Sequence, residues 1–300
     1  MTVSAFILIF ISVFLHAGWN FISKAGRPSG AFYLVVNMVS ILVLLPFMLM
    51  AKVQWFSLPP AFWGYVASSV FFEFIYVVGL FQAYKRNDIS MAYPMIRALP
   101  VLLIAVITFL FRLGALPGKM ACAGFIVVAL GCFILPQKDM RSLLSFKGIP
   151  LKAFGPIFLA AVGTTGYTIM DSCATSLFTR FSTSGKIIDS GAYLCLVEIF
   201  LTLALFVLVF CSRREKAEFF KNSIRSISPC ICGVFYTAAY LLVLAAMGMV
   251  SNVSFLQAFR QMSLPLGVAA GIFFLHEKLS GPKLAGTFLV VFGLILTVIK

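Results

Sequence analysis

Ten apolar segments, each near the length of one bilayer crossing, follow one another through this chain of 300 residues with only short interruptions. Their limits are 2–24, 30–51, 61–84, 89–111, 116–135, 153–178, 190–211, 227–248, 250–274 and 281–299. A helix that spans the hydrocarbon core takes about 20 residues, so ten crossings use about 200 and leave about 100 for connections and ends. That remainder is too small for a soluble domain. The composition points the same way: 62% hydrophobic and 11% charged residues lie far from the soluble average of about 45–50% apolar and about 25% charged. The expected fold class is an all-α integral membrane protein with ten transmembrane helices.

The net charge of +14 does not point to nucleic acid, because the bases sit in short connections and are not interleaved with aromatic residues. In a membrane protein such bases set orientation. The odd-numbered connections carry fifteen Lys and Arg, the even-numbered ones with the C-terminus carry six, and the last two, Arg97 and Arg260, lie inside apolar segments. Cytoplasmic connections hold the excess, so the odd-numbered ones are expected inside and both termini outside. The expected location is the cytoplasmic membrane of a bacterial cell. Met1 to Phe6 lacks a basic region and the apolar run continues past His16, so the beginning reads as a first crossing rather than a leader. The connection 212–226 is basic, and a short surface helix is expected in it.

The chain looks duplicated, with residues 1–135 and 153–300 each holding five segments around a basic connection at 136–152. Tyr76 answers Tyr240 at an offset of 164, Arg97 answers Arg260 at 163, and Gly124 and Gly131 answer Gly286 and Gly293 at 162. Gly18-Trp19-Asn20 answers Gly166-Tyr167-Thr168 at 148. An odd number of crossings per copy makes the second copy enter from the opposite side, so the two repeats are expected to be inverted. Such repeats mark secondary transporters that bind substrate near the midplane, between the halves.

Ionisable groups inside apolar segments are costly and therefore functional candidates. Five occur: Glu73, Arg97, Asp171, Glu198 and Arg260. Mutual pairing of these acids and bases around a wet central cavity is the expected arrangement. Polar residues recur beside them at steps of three and four, which share a helix face: Ser12, His16, Asn20 and Lys24; Thr164, Thr168, Asp171 and Thr175; and Ser254, Gln257 and Gln261 next to Arg260. Two readings stand for the charged groups, a functional one and one in which they only glue helices together. Lys24, at a segment end, is expected to snorkel, and the paired glycines to form packing grooves. Pro94, Pro100 and Pro265 mark the fourth and ninth segments as kinked candidates for motion. No hydrolase, nucleotide-binding or metal motif occurs, so neither an enzyme activity nor a cofactor is expected, and any driving force is an ion gradient or solute exchange.

His16-Ala17-Gly18-Trp19-Asn20 with Lys24, Ala92-Tyr93-Pro94 with Arg97, Tyr167-Thr168 with Asp171, and Phe274 to Ser280 resemble the EamA-type branch of the drug/metabolite transporter superfamily. The likeness covers essentially the whole chain. His276 stands where that family's G-E-x-x-S turn has Gly, and Leu110 to Pro117 lacks the acid in the first repeat. The resemblance implies an alternating-access carrier that exports or exchanges small metabolites. It also implies cytoplasmic termini, against the base count. The expected substrate is a small polar or amphipathic solute, with Arg260 and Arg97 holding an anionic group. Trp19, Asn20, Tyr76, Tyr93, Tyr240, Gln257 and Gln261 would line its site, and Asp171, Glu73 and His16 would carry a proton. The alternative is a proton-independent antiporter of an anionic or phosphorylated metabolite.

Overall fold

The computed structural model describes residues 3–87, 89–111, 118–134, 137, 151–247, 249, 259–260, 262–274 and 280–298. They form an all-α protein. In chain order its helices are α1 (Val3–Ala25), α2 (Gly30–Met50), α3 (Pro60–Arg86), α4 (Ile89–Leu110), α5 (Lys119–Ile134) and α6 (Leu151–Phe178). Then follow α7 (Lys186–Cys211), the short α8 (Arg213–Glu218), α9 (Ser228–Met247), α10 (Ser263–Phe274) and α11 (Gly281–Val298). Five of these, at Ser4–Ala25, Gly30–Met50, Pro60–Arg86, Lys186–Cys211 and Ser228–Met247, are long and apolar enough to cross a membrane. Large apolar side chains on the helix exteriors stand open, among them Phe14, Leu42, Phe71, Phe109, Phe206 and Phe288. Most of the ninth segment before Ser263, and most of residues 136–150, lie outside the described residues.

Local signals set the helix ends. Ser29 Oγ accepts from Phe32 N at 3.0 Å at the start of α2, satisfying one of the donors that every helix N-terminus leaves open. Pro60 opens α3, where a missing N–H costs nothing. Pro265 likewise falls in the first turn of α10, so it does not kink a helix interior there. Gly185, with φ 95°, precedes α7 and adopts a conformation that side-chain-bearing residues avoid. Lys24 does more than snorkel: its Nζ donates to the carbonyls of Tyr84 at 2.8 Å and Asn87 at 3.0 Å, closing the C-terminal end of α3.

Helix partners repeat in a regular pattern. α3 lies along α6 as α1 lies along α9; α4 touches α6 as α10 touches α1; α2 packs on α7, and α5 on α11. The ends sort the connections as well. The start of α2 and the end of α3 both meet Glu215, through Ala31 N at 3.0 Å and Lys85 Nζ at 3.4 Å. The connections before α3 and before α7 meet each other through an antiparallel bridge between Val53 and Ser182.

Glycines set the closest approaches. A Cβ added at Gly163 would lie 2.5 Å from Tyr76 N, and one at Gly79 would lie 2.5 Å from Ala160 N, so α3 and α6 touch backbone to backbone. Gly124 and Gly293 face each other on α5 and α11, where added Cβ atoms would lie 2.7 and 2.8 Å from the opposite carbonyls. Lipid is as apolar as leucine and gives helices no hydrophobic reason to associate, so close packing of small residues carries much of the association. Gly163→Ala should therefore lower stability by about 1–3 kcal/mol, the usual cost of overpacking, read as a fall in the thermal unfolding midpoint in detergent. Gly64→Ala, with nothing within 4 Å of the new atom, should leave the midpoint unchanged or slightly raised.

Candidate functional site

A closed cavity sits where α1, α3, α6 and α9 meet the segment carrying Arg260. It is lined by His16, Trp19, Glu73, Tyr76, Tyr167, Tyr236, Tyr240 and Arg260. None of these residues is more than 9% exposed, and the space between them admits no more than about one water molecule. The helical period makes this possible. Glu73 and Tyr76 lie three residues apart on α3, and Tyr236 and Tyr240 lie four apart on α9, so each pair faces one side.

Aromatic edges build the wall. Tyr167 stands between Tyr76 and Tyr240, with ring centroids at 5.6 and 5.7 Å and interplanar angles of 67° and 88°. Trp19 meets Tyr236 edge-on at 5.6 Å. The Arg260 guanidinium lies 5.7 Å from the Tyr240 ring centroid, within the range of an attractive cation–π contact. Trp19 Nε1 donates to His16 Nδ1 at 3.0 Å, so the imidazole offers Nε2 as its donor. That nitrogen has no hydrogen-bond partner among the described residues.

The acids are held by hydroxyl groups. Asp171 Oδ1 accepts from Ser69 Oγ at 2.5 Å and from Tyr193 Oη at 2.6 Å, and Oδ2 accepts from Tyr240 Oη. Tyr236 Oη donates to Glu73 Oε1 at 2.6 Å, while Oε2 has no partner among the described residues. Glu198 is fully buried on α7, and neither of its oxygens has such a partner. No ion pair joins Arg97 or Arg260 to Glu73, Asp171 or Glu198. This corrects the expectation of mutual acid–base pairing: at Asp171 tyrosine and serine hydroxyls occupy both carboxylate oxygens, whereas Glu73 Oε2 and the two Glu198 oxygens meet neither arginine.

Arg97 reaches Ser263 instead, while the Arg260 guanidinium stays at the Tyr240 ring. Ser263 Oγ accepts from Tyr93 Oη at 3.0 Å and from Arg97 Nη2 at 3.5 Å, and donates to the Arg260 carbonyl at 2.9 Å. Tyr93 and Arg97 are buried beside the cavity but do not line it. Asn20 is also set back, donating to the His16 carbonyl at 2.8 Å and accepting from Tyr84 Oη at 2.8 Å. The structure thus brings His16, Trp19, Glu73, Tyr76, Tyr240 and Arg260 into one cavity and places Asp171 behind Tyr240. Gln257 and Gln261 lie outside the described residues. Tyr167, Tyr236, Tyr193, Ser69 and Ser263 were missed as site residues in the sequence. The available signal was Tyr236, one turn before Tyr240 on the same face.

No family model and no curated protein matches the chain. One solved structure, described only as the crystal structure of a protein, is similar in fold: its TM-score is 0.66 at 16% sequence identity, over 99% of this chain and 97% of that one.

Removing the acceptor shared by three buried hydroxyls leaves donors unsatisfied, at about 1–3 kcal/mol for each buried group. Asp171→Ala should therefore lower the thermal unfolding midpoint in detergent more than Glu73→Ala, which frees one hydroxyl. Equal shifts for the two would show that the hydroxyl cradle does not bind these helices together.

Proposed function

We propose that this chain is a secondary active transporter of the EamA type, built as ten transmembrane helices in two inverted five-helix repeats and moving a small polar or amphipathic metabolite by alternating access. The closed cavity carries the reading. It offers a guanidinium, a carboxyl, an imidazole donor and four tyrosine rings in one buried space, which suits a solute with an anionic head and an apolar body. A guanidinium presents a planar fork of donors matched to carboxylate or phosphate. Two features support the inverted repeat: the most extensive helix pairings are kept when each of the first five long helices is exchanged with its counterpart in the last five, and the connection before α2 lies at the opposite end from the one before α7. On this reading Arg260 holds the anionic group, Glu73 and His16 face its polar partner, and the tyrosines clasp its apolar part.

A proton carried by Glu73, His16 or Asp171 would couple the cycle to a gradient. One observation favours proton-independent exchange as the second reading: the oxygens of Asp171 are already taken by three hydroxyls, which suits a fixed carboxylate.

Reconstituted protein should be tested by solid-supported-membrane electrophysiology against amino acids, organic acids, phosphorylated metabolites and cationic dyes. Parallel counterflow of radiolabelled solute would register electroneutral exchange. The expected outcome is transport of one anionic or zwitterionic class, reduced at least about tenfold in Arg260→Ala, as for loss of a charge-assisted contact. Transport of cationic dyes that survives Arg260→Ala would overturn the assignment of Arg260. Counterflow that ignores pH would select the exchange reading.

A further inference from the structure

Away from the cavity, the turn between α1 and α2 meets the segment linking α8 to α9 and forms a recess of about 430 Å³. That is the size of a small-molecule site. Its wall carries Arg27 from the first turn and Lys221 and Arg225 from the second segment, with the hydroxyls of Ser226 and Ser228 between them. One acid, Glu218, shares the wall and accepts from Asn222 Nδ2 at 2.9 Å. The recess therefore carries three cations against one carboxylate.

A basic connection needs only its charge count to orient a membrane protein; it does not need its bases gathered into a concavity from two distant parts of the chain. Here the gathering is built in. A Cβ at Gly26 would lie 2.6 Å from Ser228 Oγ, so the first turn is pressed against the start of α9. Arg27 itself has a φ of 61°, a left-handed conformation that glycine or asparagine adopts at lower cost. Next to the basic residues in sequence, the same segment and the first turn of α9 expose Phe220, Ile224, Ile227 and Ile231, all by more than 40%. The recess thus joins a positive hollow to an apolar flank at the end of a helix bundle whose exterior is apolar.

We propose that this recess binds the phosphodiester headgroup of an anionic phospholipid, with Arg27, Lys221 and Arg225 around the phosphate and the acyl chains along the isoleucine flank. The charge of the wall selects an anion, and the apolar strip beside it selects a lipid over a free phosphate. The site rests on membrane embedding and not on any transport activity.

The test is native mass spectrometry of the detergent-purified protein titrated with phosphatidylglycerol, with phosphatidylcholine of the same acyl chains, and with inorganic phosphate as competitor. Wild type should retain phosphatidylglycerol over phosphatidylcholine and resist displacement by phosphate. A base near an anionic lipid surface contributes about fivefold, so the triple variant Arg27→Gln, Lys221→Gln, Arg225→Gln should bind on the order of a hundredfold more weakly. The control Arg213→Gln, Arg214→Gln, Lys216→Gln removes the same charge from neighbouring positions outside the recess and should keep binding within about threefold. Arg27→Gln alone, about fivefold weaker, decides the matter if the triple variant does not fold. Equal loss in both triple variants, equal retention of the two lipids, or full displacement by inorganic phosphate would each overturn the proposal.

Discussion

Asp171 is the point on which the interior depends. Its carboxylate is deeply buried yet joins α6 to α3 through Ser69, to α7 through Tyr193 and to α9 through Tyr240. In an apolar surrounding a charged or polar group without partners is very costly, and three hydroxyls on one carboxylate meet that cost with hydrogen bonds to an ionisable acceptor, which are the stronger kind. The same bonds fix how four helices rotate about their axes. Once α9 is held by Tyr240, Tyr236 faces Glu73 one turn away, and the tyrosine wall of the cavity follows from that rotation.

Helix association in this protein runs against the usual order of a soluble core. The exterior carries phenylalanine and leucine, whereas Ser12, Asn37, Ser40, Thr168 and Thr237 are buried. Close backbone approach adds to the packing of a largely apolar interior. α3 and α6 touch through Gly79 and Gly163, and α5 and α11 through Gly124 and Gly293. Where backbones come that near, many weak dispersion contacts form at once and short polar side chains can reach across, as Thr237 Oγ1 reaches Ser40 Oγ at 2.7 Å.

Much of the architecture was legible because bilayer thickness acts directly on sequence. A crossing needs a run of apolar residues, and charge clusters end it, so the limits of α1, α2, α3 and α7 could be read to within a few residues. The paired glycines were legible too, since a seven-residue spacing puts both on one face of a helix. Side-chain partnership was not. Opposite charges among the buried residues suggested ion pairs, but which groups meet depends on helix rotation, and rotation is set by tyrosines that a hydropathy reading treats as apolar bulk. Tyr193, Tyr236 and Tyr240 supply three of the four hydroxyls held on Asp171 and Glu73. The bonds of Lys24 were hidden for a related reason: the carbonyls it closes lie at the end of α3, distant in sequence.

The bonding pattern also separates what moves from what stays, if the cavity opens alternately to the two sides. α3 and α6 form one unit, because their contact is backbone against backbone. α1 and α9 form another, joined by Ser12 Oγ donating to the Ala239 carbonyl at 2.8 Å and by Cys232 Sγ on the Trp19 carbonyl at 3.5 Å. Between the units run Tyr236 to Glu73, Tyr240 to Asp171, Tyr84 to Asn20 and Lys24 to the carbonyls of Tyr84 and Asn87, together with the edge contact of Tyr167 on Tyr240. Those are the interactions an opening must break, and each hydroxyl released is one that water or a polar solute can satisfy. A net hydrogen bond is worth only about 0.5–1.5 kcal/mol when its partners are so replaced, whereas separating α3 from α6 would forfeit a whole packed interface with nothing to fill it. On the proposed transport reading, motion of the two pairs as rigid bodies across these hydrogen bonds would be the low-cost path, with a bound solute as the replacement partner.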